Sequence, residues 1–279
     1  MSSVLSQEFK TLLLRNPIKG VLQVSLNRPD KLNSMNPQMW IDLRECFNKV
    51  KFDNEILSIV LTGQGRAFCS GLDLKTAEVL FKEDKTRDIA RKAIHHRNMI
   101  LEWQASLTAI EHCDKPVIAY VQNACIGAGI DMITACDIRQ CSEDAYFSVK
   151  EVDIGMAADV GTLQRLPKVV GNDSWVREIV YTARSVSSTE ALQFGLVSRV
   201  FKEAQEGLDK TIELAAEIAS KSPVAIVGSK RNLLYSRDHT VQEGLEYNAN
   251  WNTIMHNTND IAESLKSMML KQKPKYEKL

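Results

Sequence analysis

The sequence predicts an α/β fold followed by a helical C-terminal region, and three observations carry that prediction. Short β-branched runs alternate with amphipathic segments as far as residue 201, and only helical periodicity follows. A hydrophobic content of 44% over 279 residues suffices for a full core. The chain accordingly divides into a core domain, 1–201, and a helical region, 202–279.

Residues 21–26 (VLQVSL) and 56–61 (ILSIVL) are apolar runs of strand length. Between them a helix begins, with Asn36 as N-cap and Pro37 as first helical residue. A polar loop over 62–75 precedes a long helical segment, 86–114, with Ile89, Ala93, Ile100, Trp103, Leu107 and Ile110 at helical spacing. Pro116 ends it, and 117–121 reads as a buried strand. Gly127 and Gly129 break the chain before a buried helix over 130–135, and strands follow near 137–141 and 145–149. Ser187 and Glu190 have capping-box spacing, so a short helix runs to Phe194, stops at Gly195 and leads into a strand over 196–201. Beyond it, Leu208, Ile212, Ala215 and Ala219 form one helical face. Val241, Leu245, Trp251, Ile254, Ile261, Leu265 and Met268 extend an apolar pattern suited to packing on another subunit.

Lys plus Arg equals Asp plus Glu at 35 each, so no charge excess attracts nucleic acid or an anionic membrane. No apolar run approaches a membrane span and no signal-peptide h-region opens the chain; a soluble intracellular protein is expected. The six cysteines lack metal-ligand spacing and read as reduced, buried thiols, and no metal site is expected.

Two glycine-containing segments suit an oxygen that gains negative charge. Residues 125–132 follow a strand and open a helix, so free N–H groups and the positive end of the helix dipole point outward. The loop 63–74 also follows a strand and offers a second donor, and two such donors make an oxyanion hole. From spacing alone the first segment reads equally well as a tight turn that needs glycine freedom. Neither has the spacing of a dinucleotide or phosphate loop.

Three carboxylates, Asp131, Glu151 and Asp159, have apolar or small neighbours, and partial burial would raise their pKa values towards neutrality. Each also has an ordinary reading: a first-turn acid on a helix for Asp131, an ion pair with Lys150 or a distant Arg for Glu151, and an N-cap near Gly161 for Asp159. His95 and His96 point to different helix faces, and Ser70 lacks a nucleophile-elbow context. The basic residues of the tail read as a solvated end.

The sequence resembles the crotonase, or enoyl-CoA hydratase/isomerase, family over nearly its whole length. The resemblance rests on Leu26-Asn27-Arg28-Pro29 with Leu32-Asn33, on the loop 66–74, on 123–129, and on Ala135-Cys136-Asp137-Ile138-Arg139. Within the family, residues 150–167 are most similar to the dienoyl-CoA isomerases, and 220–223 and 232–239 support the same subgroup. The resemblance implies a crotonase-type spiral of ββα units and a C-terminal helical region used in trimer formation, often within a hexamer. It implies no cofactor, CoA being part of the substrate, and an acyl-CoA ligand contacted by Ser70, Gly71, Leu72, Asp73, Leu74 and Ala128. The thioester oxygen would lie between the N–H groups of Leu72 and Ala128, where Ala128 departs from the glycine common in relatives. All three acids carry over: Asp159 to remove a proton from C2, Glu151 to deliver one to C6, and Asp131 to order the polyene between them.

The nearest alternative is an enoyl-CoA hydratase, which has two glutamates around a water; here the first is Asp131 and an extra acid stands at Asp159. A 3,2-enoyl isomerase would leave two acids unexplained. A non-enzymatic RNA-binding crotonase-like protein is disfavoured by the balanced charge. A peroxisome-type organelle or the mitochondrial matrix is the expected compartment, with the cytosol left open; Glu277-Lys278-Leu279 matches a Ser-Lys-Leu address at two of three positions.

Overall fold

The computed structural model describes residues 4–73, 75–76, 78 and 86–279. The larger sheet has six strands in the spatial order β1 (Leu12–Ile18), β2 (Val21–Leu26), β3 (Ser58–Gly63), β4 (Val117–Val121), β6 (Ile138–Ser142) and β9 (Arg199–Phe201). Only β1 is antiparallel to its neighbour; the other pairs are parallel. A smaller sheet joins β5 (Ala124–Ile126), β7 (Tyr146–Ser148) and β8 (Val186–Ser187).

The three central strands β2, β3 and β4 are buried on both faces, which explains their largely apolar runs. Strand alternation divides their side chains between two cores. Leu22, Val24, Leu26, Ile59, Leu61, Val117, Ala119 and Val121 join the main core, while Val21, Val60, Ile118 and Tyr120 face the other way. Helix α7 (Ala204–Ala219) covers that second face, and its expected apolar stripe, Leu208, Ile212, Ala215 and Ala219, makes the contact.

Helix α1 (Pro37–Val50) starts as expected, with the Asn36 side chain accepting from Met39 N at 2.9 Å. Helix α2 (Ile89–Glu111) packs on α1 through its second half, where Leu107 and Ile110 are buried and Trp103 stacks on Trp40 with ring centroids 5.2 Å apart. Its first turns leave the core, and Ile89 and Ile94 are exposed. All six cysteines are buried and unpaired.

Several elements differ from expectation. Strand β1 was not expected: only Leu12 is fully buried, so the run lacks alternation, and Pro17 is tolerated because the strand lies at the sheet edge. The last strand is shorter than 196–201, because Leu196 and Val197 donate back to Ala191 O and complete the end of α6 (Ser188–Gln193). Ser187 caps α6 as expected, but Glu190 completes no capping box; its carboxylate is taken by Arg184 and by Trp175 Nε1. Two further helices follow the acid-rich segment: α4 (Thr162–Val170), whose Pro167 masks its helical pattern, and α5 (Asp173–Thr182), capped by Asn172.

Candidate active site

Helix α3 (Ala128–Thr134) follows β5 through Gly127, whose φ of +51° suits glycine. Beside it runs the loop after β3. Cys69 N–H donates to Ala124 O and Ile126 N–H to Cys69 O, both at 2.9 Å, so the two segments lie parallel with Cys69 opposite Cys125. Continuing that register sets Gly71 against Gly127: a side chain at Gly127 would meet Gly71 Cα at 3.8 Å, and one at Gly71 would meet Ile126 O at 3.3 Å. Leu72 and Ala128 come next on each strand. Met35 donates to Gly71 O and accepts from Asp73 N, so the N–H of Leu72 itself faces away from Met35. Neither it nor the N–H of Ala128, the first residue of α3, donates to any described residue. Two free backbone donors therefore stand side by side at a helix N-terminus.

The motif residues around Arg28 hold this loop in place. Asn33, fully buried, accepts from Arg28 N at 2.8 Å and donates to Gln64 O and Ala67 O at 2.9 and 2.8 Å. Arg28 pairs with Asp73 at 2.9 Å and donates to Ser34 O. Asp73 also accepts from Lys75 N and Thr76 N. Burial raises the Asp73 pKa, but Arg28 and these N–H groups outweigh it and hold the carboxyl below its usual range. Asp73 is thus engaged in holding the loop. Ser70 is half-buried, with its N–H on Leu32 O, and Leu74 lies outside the described residues.

The three acids lie on three different elements. Asp131, with no exposed surface, is one turn beyond Ala128 in α3 and so shares its face. Its Oδ1 accepts from Thr162 N at 2.5 Å, capping α4 from a distance of 31 residues in sequence, while Oδ2 is buried without a partner. Burial first, then the negative charge of Glu151, pushes its pKa up to about 7 against the pull of Thr162. Glu151 opens the turn after β7, and a side chain at Gly127 would meet its Oε1 at 3.2 Å. Its Oε2 is buried and unpartnered, and Lys150 pairs instead with Asp153, at 2.6 Å. Burial raises the Glu151 pKa, and the charge of Asp159 adds to the effect. Asp159 is half-buried before α4. Burial raises its pKa too, opposed by its own backbone N–H and by His96.

None of the three ordinary readings accounts for the arrangement. Asp131 does lie in a first helical turn, but its carboxylate serves another helix; Glu151 pairs with no cation among the described residues; and the N-cap position of α4 is Gly161 rather than Asp159. The acids perturb one another's titration beside the paired donors. Acids with raised pKa values can hold and release protons near neutral pH, and paired backbone donors can take up charge on an oxygen.

Sequence reasoning missed Thr162, which holds Asp131, and Gln104, whose Nε2 donates to Asp159 O at 2.6 Å. Neither role has a local signal, since the two act on residues 31 and 55 positions away.

The chain belongs to the enoyl-CoA hydratase/isomerase family, whose pattern it matches over residues 17–278. It is 48% identical to the mitochondrial Delta(3,5)-Delta(2,4)-dienoyl-CoA isomerase of Rattus norvegicus, covering 98% of this chain and 83% of the relative. It is 42% identical to the peroxisomal Delta(3,5)-Delta(2,4)-dienoyl-CoA isomerase of Arabidopsis thaliana, covering 98% and 99% of the two chains. Among solved structures, an enoyl-CoA hydratase from Bacillus anthracis superposes with a TM-score of 0.86 at 26% identity, covering 96% and 99%.

Proposed function

We propose that this chain isomerises 3,5-dienoyl-CoA to 2,4-dienoyl-CoA by proton transfer alone, as an organellar enzyme like the mitochondrial and peroxisomal relatives. The observation that carries the reading is the third acid: Asp159, half-buried before α4, lies near enough to Asp131 and Glu151 for its charge to raise the pKa of both. A carboxylate facing an acyl chain is costly unless the chemistry uses it.

In this reading the thioester oxygen takes the N–H groups of Leu72 and Ala128, which acidifies C2. Asp159 removes a C2 proton, and the electron pair spreads along the chain as a dienolate. Glu151, protonated, delivers its proton to C6, which leaves double bonds at C2 and C4. Turnover ends with the proton on Asp159 and the charge on Glu151, and proton exchange between them resets the site. Raised pKa values suit both tasks, because each acid must hold and release a proton near neutral pH. Asp131 stays next to Glu151 and tunes its proton affinity by its own charge.

Appearance of the 2,4-dienoyl chromophore on adding 3,5-dienoyl-CoA tests the reading. Formation of a hydroxyacyl product from 2-enoyl-CoA, without diene isomerisation, would replace it with hydration.

A homotrimer or dimer of trimers belongs to the same proposal. Helices α9 (Val241–Met255) and α10 (Asn259–Met269) carry Val241, Leu245, Ile254, Leu265, Met268 and Met269 with 58% to 85% of their surface open. Light scattering that gave a monomer would remove it.

A further inference from the structure

Helix α2 carries Gln104, Thr108 and Glu111 at spacings of four and three, so the three share one face. That face runs along the chain from Asp159 to Arg165. Gln104 Nε2 donates to the Asp159 carbonyl oxygen at 2.6 Å. Thr108 Oγ1 accepts from Arg165 Nη2 at 3.1 Å, and Glu111 accepts from Arg165 Nε and Nη2 at 3.2 and 3.0 Å. Glu111 is 4% exposed and takes a second cation, Arg237, at 2.5 Å from helix α8 (Pro223–Arg237). Held in this way, the Arg165 guanidinium lies against Gly161, where a Cβ would collide with Nη1. Nη1 also reaches Val160 O at 3.5 Å. On the far side, Asp131 takes the N–H of Thr162.

We propose that Gln104 directly, and Glu111 through Arg165, are positioning residues for Asp159, fixing peptides 159–161 so that its carboxylate stands at the reacting carbon. The inference rests on the role given to Asp159 above. The amide of Gln104 is neutral, so it anchors the base through its own carbonyl without adding a cation that would weaken it. Arg165 supplies the second anchor from the side, itself paired with Glu111. A base on a half-buried turn needs such fixing, because a displacement of about 1 Å costs up to roughly 100-fold in rate.

Gln104→Met keeps the length and helix preference of the side chain and removes only the donor. It should lower kcat on 3,5-dienoyl-CoA by about 10-fold or more while KM stays within about twofold, since the oxyanion loops are untouched. Amide hydrogen exchange over 157–162 should quicken, and elsewhere should match the wild type. Glu111→Gln, which leaves Arg165 less firmly held, should act in the same direction. Unchanged kcat together with unchanged exchange over 157–162 in Gln104→Met would overturn the proposal. Exchange is read without substrate, so a wild type that fails to turn over the diene defeats the isomerase reading alone, and the exchange result still decides whether Gln104 fixes the turn.

Discussion

Replacing Asp131 with asparagine separates what the site costs the fold from what it does. Asp131 has no exposed surface, and its pKa rises from 3.8 to about 7. A carboxyl that binds its proton more tightly in the folded than in the unfolded chain stabilises the fold while protonated. That contribution is fully present below about pH 4 and is lost as pH rises through about 7. At about 1.4 kcal/mol for each tenfold change in proton affinity, the interval corresponds to roughly 4 kcal/mol. The asparagine side chain retains the Oδ1 acceptor for Thr162 N and has nothing to titrate. Its amide nitrogen takes the place of the unpartnered Oδ2, a cost of about 1–3 kcal/mol that does not vary with pH. The stability of Asp131→Asn relative to wild type should therefore start at or below zero near pH 4. It should climb by roughly 4 kcal/mol by pH 8, where the variant is the more stable protein. Urea unfolding across that range at one protein concentration measures the difference directly. A difference that stays flat from pH 4 to pH 8 would refute the reasoning.

Asp159→Asn and Glu151→Gln should each fold and bind acyl-CoA, with kcat on the dienoyl thioester reduced about 100-fold or more, the usual loss with a positioned base or acid; steady-state kinetics with intact KM checks both. Gly161→Ala places a side chain at φ +138° and against the Arg165 guanidinium. It should cost about 2 kcal/mol or more and lower the thermal midpoint by about 5 °C, seen by calorimetry at a fixed scan rate. Asn33→Ala removes three hydrogen bonds to backbone groups, one of them buried and two part-buried, and should cost about 2 kcal/mol or more, with a raised KM in acyl-CoA kinetics as the Leu72 loop loosens.

Much of the fold was legible because its signals are local. Asn36-Pro37 sets the start of α1, the runs of β2, β3 and β4 place apolar side chains towards the main core, and the α7 stripe repeats at helical spacing over one face. Other elements were hidden for equally local reasons. Strand β1 is mostly exposed and contains Pro17, and α4 contains Pro167, so neither shows the period of the structure it adopts. Asp131, Glu151 and Asp159 were visible as acids in apolar surroundings, a feature of composition alone.

What the sequence determined by itself is therefore which residues are available: two glycine-containing loops, three acids with apolar or small neighbours, and most of the helices and strands that carry them. Tertiary structure decided how they meet. The pairing of Cys69 with Cys125 brings Leu72 and Ala128 together, Asp131 caps a helix 31 residues away, and Lys150 turns to Asp153 rather than to Glu151. Periodicity and capping depend on neighbours a few residues apart, whereas the field at a buried carboxylate depends on every charge and dipole within several ångströms, whatever their distance along the chain.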